Sequence, residues 1–342
     1  MTQVESWEKA YSDIVDEEFG LDLNIFSDNY DEIIFFGCGS SYNLSQSASF
    51  FTKSLFSGRS CLVLPSSELL VNNDTYINKD RKYLIIGFSR SGETTESINV
   101  VKQLKDMPNI TSLTFSCKEG STIASLSDNY FICRGAVEKS IVMTKSFSSM
   151  LFAYCLMLTK FLDNKDILAE FKYLIDYLNE NISNLFSDIE IYLGKNDFKS
   201  YFVLGSGFNY GLAVEGDLKM KEMSQTSSYS YHLYEFNHGP KSLLDKGSLC
   251  VILTLGENLF KNEEIIKGIL NMGSKVIVIG SRNAEITDNE KINYLLYDSE
   301  FKIDFIKSFM NIPVFQILAY IKTIKENLNP DKPRNLDYTM MI

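Results

Sequence analysis

Short, unbroken apolar runs alternate along this chain with stretches whose apolar residues recur at helical spacing. Glu32–Gly37 (EIIFFG), residues 61–64, Tyr83–Phe88 (YLIIGF), 110–115 and 130–133 read as strands buried on both faces. Between them, 41–56 and 94–104 carry helical patterns, and 144–162 is a long apolar helix. Residues 165–193 are helical and more charged, which suits a connecting helix rather than a flexible linker. The rhythm then restarts. Strands are expected at 200–204, 249–253 and 275–279, helices at 209–223 and 263–272, and a final long helix at 304–324. Buried strands alternating with helices predict an α/β fold with parallel sheets flanked by helices.

The second half repeats the first. Gly37-Cys38-Gly39-Ser40-Ser41-Tyr42 lines up with Gly205-Ser206-Gly207-Phe208-Asn209-Tyr210, each a G-x-G-x-x-Y turn between a strand and a helix. A duplicated α/β domain is the simplest explanation. It places a first domain at 1–165, a connecting helix at 166–195 and a second domain with a C-terminal tail at 196–342. A length of 342 residues agrees with two domains.

Charge and cysteine usage narrow the function classes. Lysine and arginine number 33 against 44 acidic residues, a formal charge of −11. That excludes a basic footprint for nucleic acid, but not a small anion held by backbone N–H groups. The N-terminal stretch lacks the charged and apolar regions of a secretory signal, and the apolar window 141–162 is broken by Thr144, Lys145 and Ser146. No membrane partner and a cytoplasmic location are expected. Six cysteines, none in a C-x-x-C pair, read as free thiols in a reducing compartment, with no metal site.

Three motifs carry candidate chemistry. The glycine turn at 37–42 has Tyr42 where a dinucleotide fingerprint has glycine, which weighs against a nicotinamide enzyme. The stretch Phe88-Ser89-Arg90-Ser91-Gly92-Glu93-Thr94-Thr95-Glu96 follows a buried strand and opens a helix. Its hydroxyls at Ser89, Ser91 and Thr94, grouped round a glycine at a helix N-terminus, form a phosphate cradle without the lysine of a Walker loop. A plain helix cap needs one hydroxyl, and this loop offers three. The second half keeps Gly256-Glu257 at the matching place but has lost the serines, so one phosphate site per chain is expected. The third motif is Glu215, Lys219 and Glu222 on one helical face. Alone, such spacing reads as a solvated salt-bridge stripe. It is followed by His238, one of two histidines, in a turn before Gly239-Pro240. A carboxylate and a histidine near a sugar phosphate form a proton-transfer pair.

Taken in order, GCGSSY at 37–42, SRSGETTES at 89–97, SIVMTKSFSSM at 140–150, the LGSGFNYGLAVEGDLKMKEMS stretch at 204–224, EFNHGPKS at 235–242 and PRNL at 333–336 resemble the sugar isomerase (SIS) family. The resemblance covers nearly the whole chain. It implies two tandem SIS domains, each an α-β-α sandwich of flavodoxin-like type. The set is similar to the isomerase half of glutamine–fructose-6-phosphate amidotransferase, without that enzyme's N-terminal nucleophilic cysteine, since position 2 is Thr2. SRSGETTE paired with EF-x-HGPKS is most similar to the stand-alone glucosamine-6-phosphate deaminases. Fructosamine-6-phosphate deglycases and ketose/aldose isomerases are alternatives, and a sugar-phosphate sensor is a further one.

The resemblance implies roles residue by residue. Ser41, Ser89, Ser91 and Thr94 match the phosphate-binding hydroxyls. Arg90 stands where the amidotransferase has glutamine and can still offer its backbone N–H. Glu222 matches the base that moves a proton between C1 and C2, and Lys219 the lysine on the same face. His238 matches the ring-opening histidine, which in the amidotransferase comes from the neighbouring subunit, so a homodimer with shared sites is implied. Ser40 and Glu215 are further sugar-site candidates. The tail lysine after PRNL-x is replaced by Tyr338. The implied substrate is a hexose or hexosamine 6-phosphate, with no cofactor.

Overall fold

In the computed structural model the described residues are 2–16, 20–27, 30–254, 259–281, 292–297 and 301–337. They form two compact units, which divide between Ile175 and Asp176. The first unit contains α1 (Thr2–Tyr11), β1 (Glu32–Gly37), α2 (Ser40–Leu55), β2 (Cys61–Pro65), α3 (Ser66–Val71) and α4 (Asn73–Tyr76). It continues with β3 (Tyr83–Phe88), α5 (Thr95–Leu104), β4 (Ile110–Ser116), α6 (Thr122–Leu126), β5 (Asn129–Ile132) and α7 (Lys145–Phe161). The helix α8 (Lys165–Lys195) is continuous across the division. The described tail residues Leu336 and Asp337 group with the first unit.

The five strands of unit 1 are all parallel, in the order β2-β1-β3-β4-β5. Alternate side chains of β1 serve opposite layers. Ile34 and Phe36 join the cluster under α3 and α5, while the Phe35 ring meets Tyr154 of α7 edge-on at 5.6 Å. Apolar layers on both faces explain why the strands read as continuous apolar runs. Strand order reverses between β1 and β3, the place where open α/β sheets hold ligands beyond their strand C-termini.

Unit 2 contains β6 (Ser200–Gly205), α9 (Phe208–Ser224), β7 (Ser227–His232), β8 (Ser248–Leu253), α10 (Leu259–Asn271), β9 (Lys275–Ser281), β10 (Ile292–Tyr297), α11 (Asp304–Phe309) and α12 (Asn311–Lys325). Its parallel order, read from the other edge, is β7-β6-β8-β9-β10, the same topology again. The duplication extends to backbone detail. Gly39 has φ 55° and ψ −125°, and Gly207 has φ 60° and ψ −128°. These torsions favour glycine over any other residue. A Cβ on Gly37 would come within 2.6 Å of the Ser41 backbone, and one on Gly205 within 2.4 Å of the Asn209 backbone. Both glycines therefore let a helix start directly against its strand.

The structure adds β10 and the helices α1, α3, α4 and α6 to the expected elements, and departs from them at two further places. The sequence does not predict β7, because SSYSYH is a half-exposed edge strand with three serines and no aliphatic residue. The final helix is two helices, with Met310 between them and Pro313 in the first turn of the second. Proline is tolerated there because the first-turn N–H groups have no partner within the helix.

Candidate active site

The loop from Ser89 to Thr94 leaves the C-terminal end of β3, beside the point where strand order reverses. Ser89 is buried, and its hydroxyl lies 3.4 Å from that of Thr94. Thr94 is the N-cap of α5 but makes no side-chain cap bond. The Ser91 hydroxyl accepts from the Glu93 N–H at 3.2 Å. The three hydroxyls therefore sit at one helix N-terminus, where free N–H groups and the helix dipole favour an anion.

This loop is held from outside. Cys117 N–H donates to the Arg90 carbonyl at 3.0 Å and Ile123 N–H to that of Gly92 at 3.0 Å. Gly92 has φ +65°, and an added Cβ would lie 2.4 Å from the Ser121 side chain. The turn thus requires glycine on two counts. Glu93 accepts the Thr122 hydroxyl at 2.6 Å and lies 3.3 Å from Lys118 Nζ. The Thr122 hydroxyl and amide, with Lys118, hold its carboxyl below the usual glutamate range despite partial burial. A cleft of about 580 Å³ opens here, lined by Arg90, Ser91, Glu93, Lys118, Arg134 and Glu138 among others. Ser40 and Ser41 begin α2 after the neighbouring β1, both buried.

The Arg90 side chain is 8% exposed and donates to the Ser140 carbonyl at 3.0 Å, with Glu138 at 3.7 Å. Sequence reasoning missed Glu138. It lies in the irregular stretch before α7, where spacing rules are silent.

In unit 2 the second glycine turn serves a different purpose. Asn209, at the position of Ser41, is fully buried. Its amide nitrogen donates to the Thr254 carbonyl at 3.0 Å, and its oxygen accepts from Asn311 at 2.8 Å. The side chain ties the turn to the ends of β8 and α12. Leu255, Gly256 and Glu257, which the sequence sets against the phosphate loop, lie outside the described residues, as does Tyr338.

The α9 charges are not a solvated stripe, and that reading is corrected. Glu215 and Lys219 are fully buried, because α9 packs against β6 and β7 on one side and α12 on another. A Cβ on Gly216 would lie 3.1 Å from Phe315 of α12, so the two helices are in close approach. Lys219 Nζ is 3.3 Å from Glu215 and 2.5 Å from Glu222. Burial opposes the lysine charge, but the Glu215 and Glu222 carboxylates outweigh it, and Lys219 keeps its proton above the usual lysine range. Glu222 is the member that reaches solvent, with a side chain 20% exposed. A carboxylate held by a buried ammonium, with one edge open, can accept and return a proton.

His238 is exposed at the end of a short 3₁₀ turn, Glu235–His238, followed by Gly239 at φ 136°. Buried Phe236 anchors the turn in the core. Among the described residues, no hydrogen bond or ion pair joins His238 to Glu222. The structure thus groups Ser89, Ser91 and Thr94 in one loop and Glu215, Lys219 and Glu222 in one cluster, and leaves His238 apart. Among the described residues, no group of three or more histidine, cysteine or acidic side chains could hold a metal, and no helix is long and apolar enough to cross a membrane.

The SIS domain model matches residues 27–160 and 196–319. The isomerizing glutamine–fructose-6-phosphate aminotransferase of Sulfolobus acidocaldarius is 31% identical over 319 residues, covering 91% of this chain and 50% of that protein. The chain spans about half the length of the curated relatives it matches. Glucosamine-6-phosphate deaminase from Thermotoga maritima has a TM-score of 0.78 and 26% identity, with all of both chains covered. The C-terminal domain of glucosamine-fructose-6-phosphate aminotransferase from Francisella tularensis shares the fold, with a TM-score of 0.83 at 23% identity over 96% of each chain. The family match takes in a full sheet-bearing segment of each unit, and the chain belongs to the SIS-domain family, as a tandem pair.

Proposed function

We propose that this chain is an enzyme of phosphosugar metabolism, an aldose–ketose isomerase acting as an isomerising deaminase. It would convert glucosamine 6-phosphate and water to fructose 6-phosphate and ammonia. The observation that carries the reading is the buried Glu215–Lys219–Glu222 cluster with one carboxylate edge open. A solvated stripe would have no such chemistry. The similarity to the Thermotoga maritima deaminase, over the full length of both chains, favours the amino-sugar reaction.

The division of labour is as follows. The hydroxyls of Ser89, Ser91 and Thr94, with Ser41, bind the phosphate dianion. Glu222 removes the C2 proton of the open-chain sugar and returns it to C1. The ketimine left at C2 adds water and expels ammonia. Lys219, held charged by Glu215, donates to the Glu222 carboxylate and positions it. No step calls on a metal or redox group. His238 assists ring opening in the site of a second copy, a role that its exposure and its anchored turn support.

A substrate panel tests this. Glucosamine, galactosamine and fructosamine 6-phosphates and tagatose 6-phosphate are each incubated with the protein, and ammonia and sugar phosphate are both measured. Ammonia and fructose 6-phosphate in equal amounts from glucosamine 6-phosphate are expected. Amine release from the fructosamine alone, or ketose–aldose interconversion without ammonia, would replace the deaminase with those activities. Binding without turnover of any substrate would leave a sensor.

A further inference from the structure

Glu138 gathers more donors than any cap requires. Its carboxylate accepts the Thr144 N–H at 3.1 Å, the Lys145 N–H at 3.1 Å, the Thr144 hydroxyl at 2.8 Å and the Ser146 hydroxyl. These groups open α7, whose N-cap Thr144 makes no side-chain cap bond of its own. Glu138 therefore caps the helix from six residues upstream. Its side chain is 7% exposed on the cleft wall. On its other side stands Arg90, 3.7 Å away and similarly buried, which also donates to the Ser140 carbonyl at 3.0 Å.

Arg90 lies between Ser89 and Ser91. Its guanidinium reaches the segment that Glu138 organises, through the Ser140 carbonyl and Glu138 itself. A buried cation and a buried carboxylate each become costly if the other is removed. The pair joins the start of α7 to the middle of the Ser89–Thr94 loop.

We propose that Glu138 is a positioning residue for that loop. Through Arg90 it fixes the backbone between Ser89 and Ser91, and it occupies both the Arg90 cation and the α7 N-terminus with a carboxylate of the chain itself. An anion is then left the hydroxyl cluster as its place to bind. The inference rests on reading this loop as the phosphate anchor.

The test is calorimetric titration of glucosamine 6-phosphate into the parent protein and into Ser91→Ala, Arg90→Gln, Glu138→Gln and the Arg90→Gln/Glu138→Gln double variant, with thermal melts alongside. Each single variant is expected to bind about tenfold more weakly, the usual worth of a hydrogen bond to a charged group. The double variant should bind no more weakly than the poorer single, because the two residues act as one unit. Arg90→Gln leaves the α7 cap in place, so it reports even if Glu138→Gln fails to fold. A loss in Ser91→Ala with parent-like affinity in Arg90→Gln would overturn the inference and leave the loop reading intact. Additive losses in the double variant would overturn it likewise. Unchanged affinity in Ser91→Ala would overturn the loop reading, and this inference with it.

Discussion

The two glycine turns share their backbone and divide their chemistry. Gly39 and Gly207 have nearly the same torsions, and each starts a helix tight against its strand. Beyond that point the side chains diverge. Ser41 follows the first turn, and Asn209, consumed in hydrogen bonds to Thr254 and Asn311, follows the second. With the same register carried down both helices, Ser47, Phe51 and Ser54 of α2 stand where α9 has Glu215, Lys219 and Glu222. One copy presents hydroxyls at the ends of β1 and β3. The other buries a charge cluster in its first helix. Duplication supplied two equivalent frames, and in the proposed reading side-chain substitution separated an anion anchor from a proton-transfer site.

The largest effect that could break this comparison is a complementation. In the proposed reading His238 serves the site of a second copy while Glu222 serves its own. His238→Ala and Glu222→Gln chains, each inactive alone, should then regain activity when mixed, because a hybrid dimer holds one intact site. A fully active monomer in sedimentation would contradict the shared site, and no rescue on mixing would count against it.

Next in size is Lys219→Met. It leaves Glu215 buried without its cation, and the cost should be about 3–5 kcal/mol in chemical denaturation. The change at the corresponding place in α2, Phe51→Leu, strands no buried charge and should cost less. Equal costs would mean that the α9 cluster is solvated after all. A smaller contrast comes from the turns. Ser41→Ala should weaken glucosamine 6-phosphate binding about tenfold with little change in stability. Asn209→Ala should lose about 1–3 kcal/mol of stability and leave that affinity unchanged. The reverse pattern would exchange the roles of the two turns.

The smallest effect is on pH. Donors from Thr122 and Lys118 lower the Glu93 proton affinity in the folded protein. A depressed carboxyl stabilises the fold above its unfolded value and loses that contribution as pH falls through the folded value. Melting temperatures of the parent and of Glu93→Gln should therefore differ at neutral pH and converge at the acid end. The gap will be modest, because the Glu93 side chain is 32% exposed. A gap that widens on acidification would reverse the assigned sign.

The strands and turns were legible because burial on both faces writes apolar runs into the sequence, and a tight strand-to-helix turn demands glycine. β7 escaped because this edge strand is built of serine, tyrosine and histidine, with no aliphatic run to mark it. The helix break near Met310 escaped because Pro313 suits a first turn as well as a stop. The site was legible as residue types but not as environments. A carboxylate–lysine–carboxylate spacing looks the same on a wet face and a dry one, and it takes the packing of α9 against β6, β7 and α12 to show that Glu215 and Lys219 are dry. Glu138 gave no periodic signal, since it lies in an irregular stretch, its donors open α7 and its cation comes from a distant loop.

The central claim is that Glu222 carries the proton between C1 and C2. The most direct measurement follows glucosamine 6-phosphate in deuterated water by NMR, with the parent protein and with Glu222→Gln. The parent should wash deuterium into C2 of the remaining substrate and C1 of the product. Glu222→Gln should bind the sugar phosphate with parent-like affinity, while both exchange and turnover fall by about 10²–10⁴-fold. Exchange at near-parent rate in Glu222→Gln would contradict the account and reduce the cluster to a buried ion network.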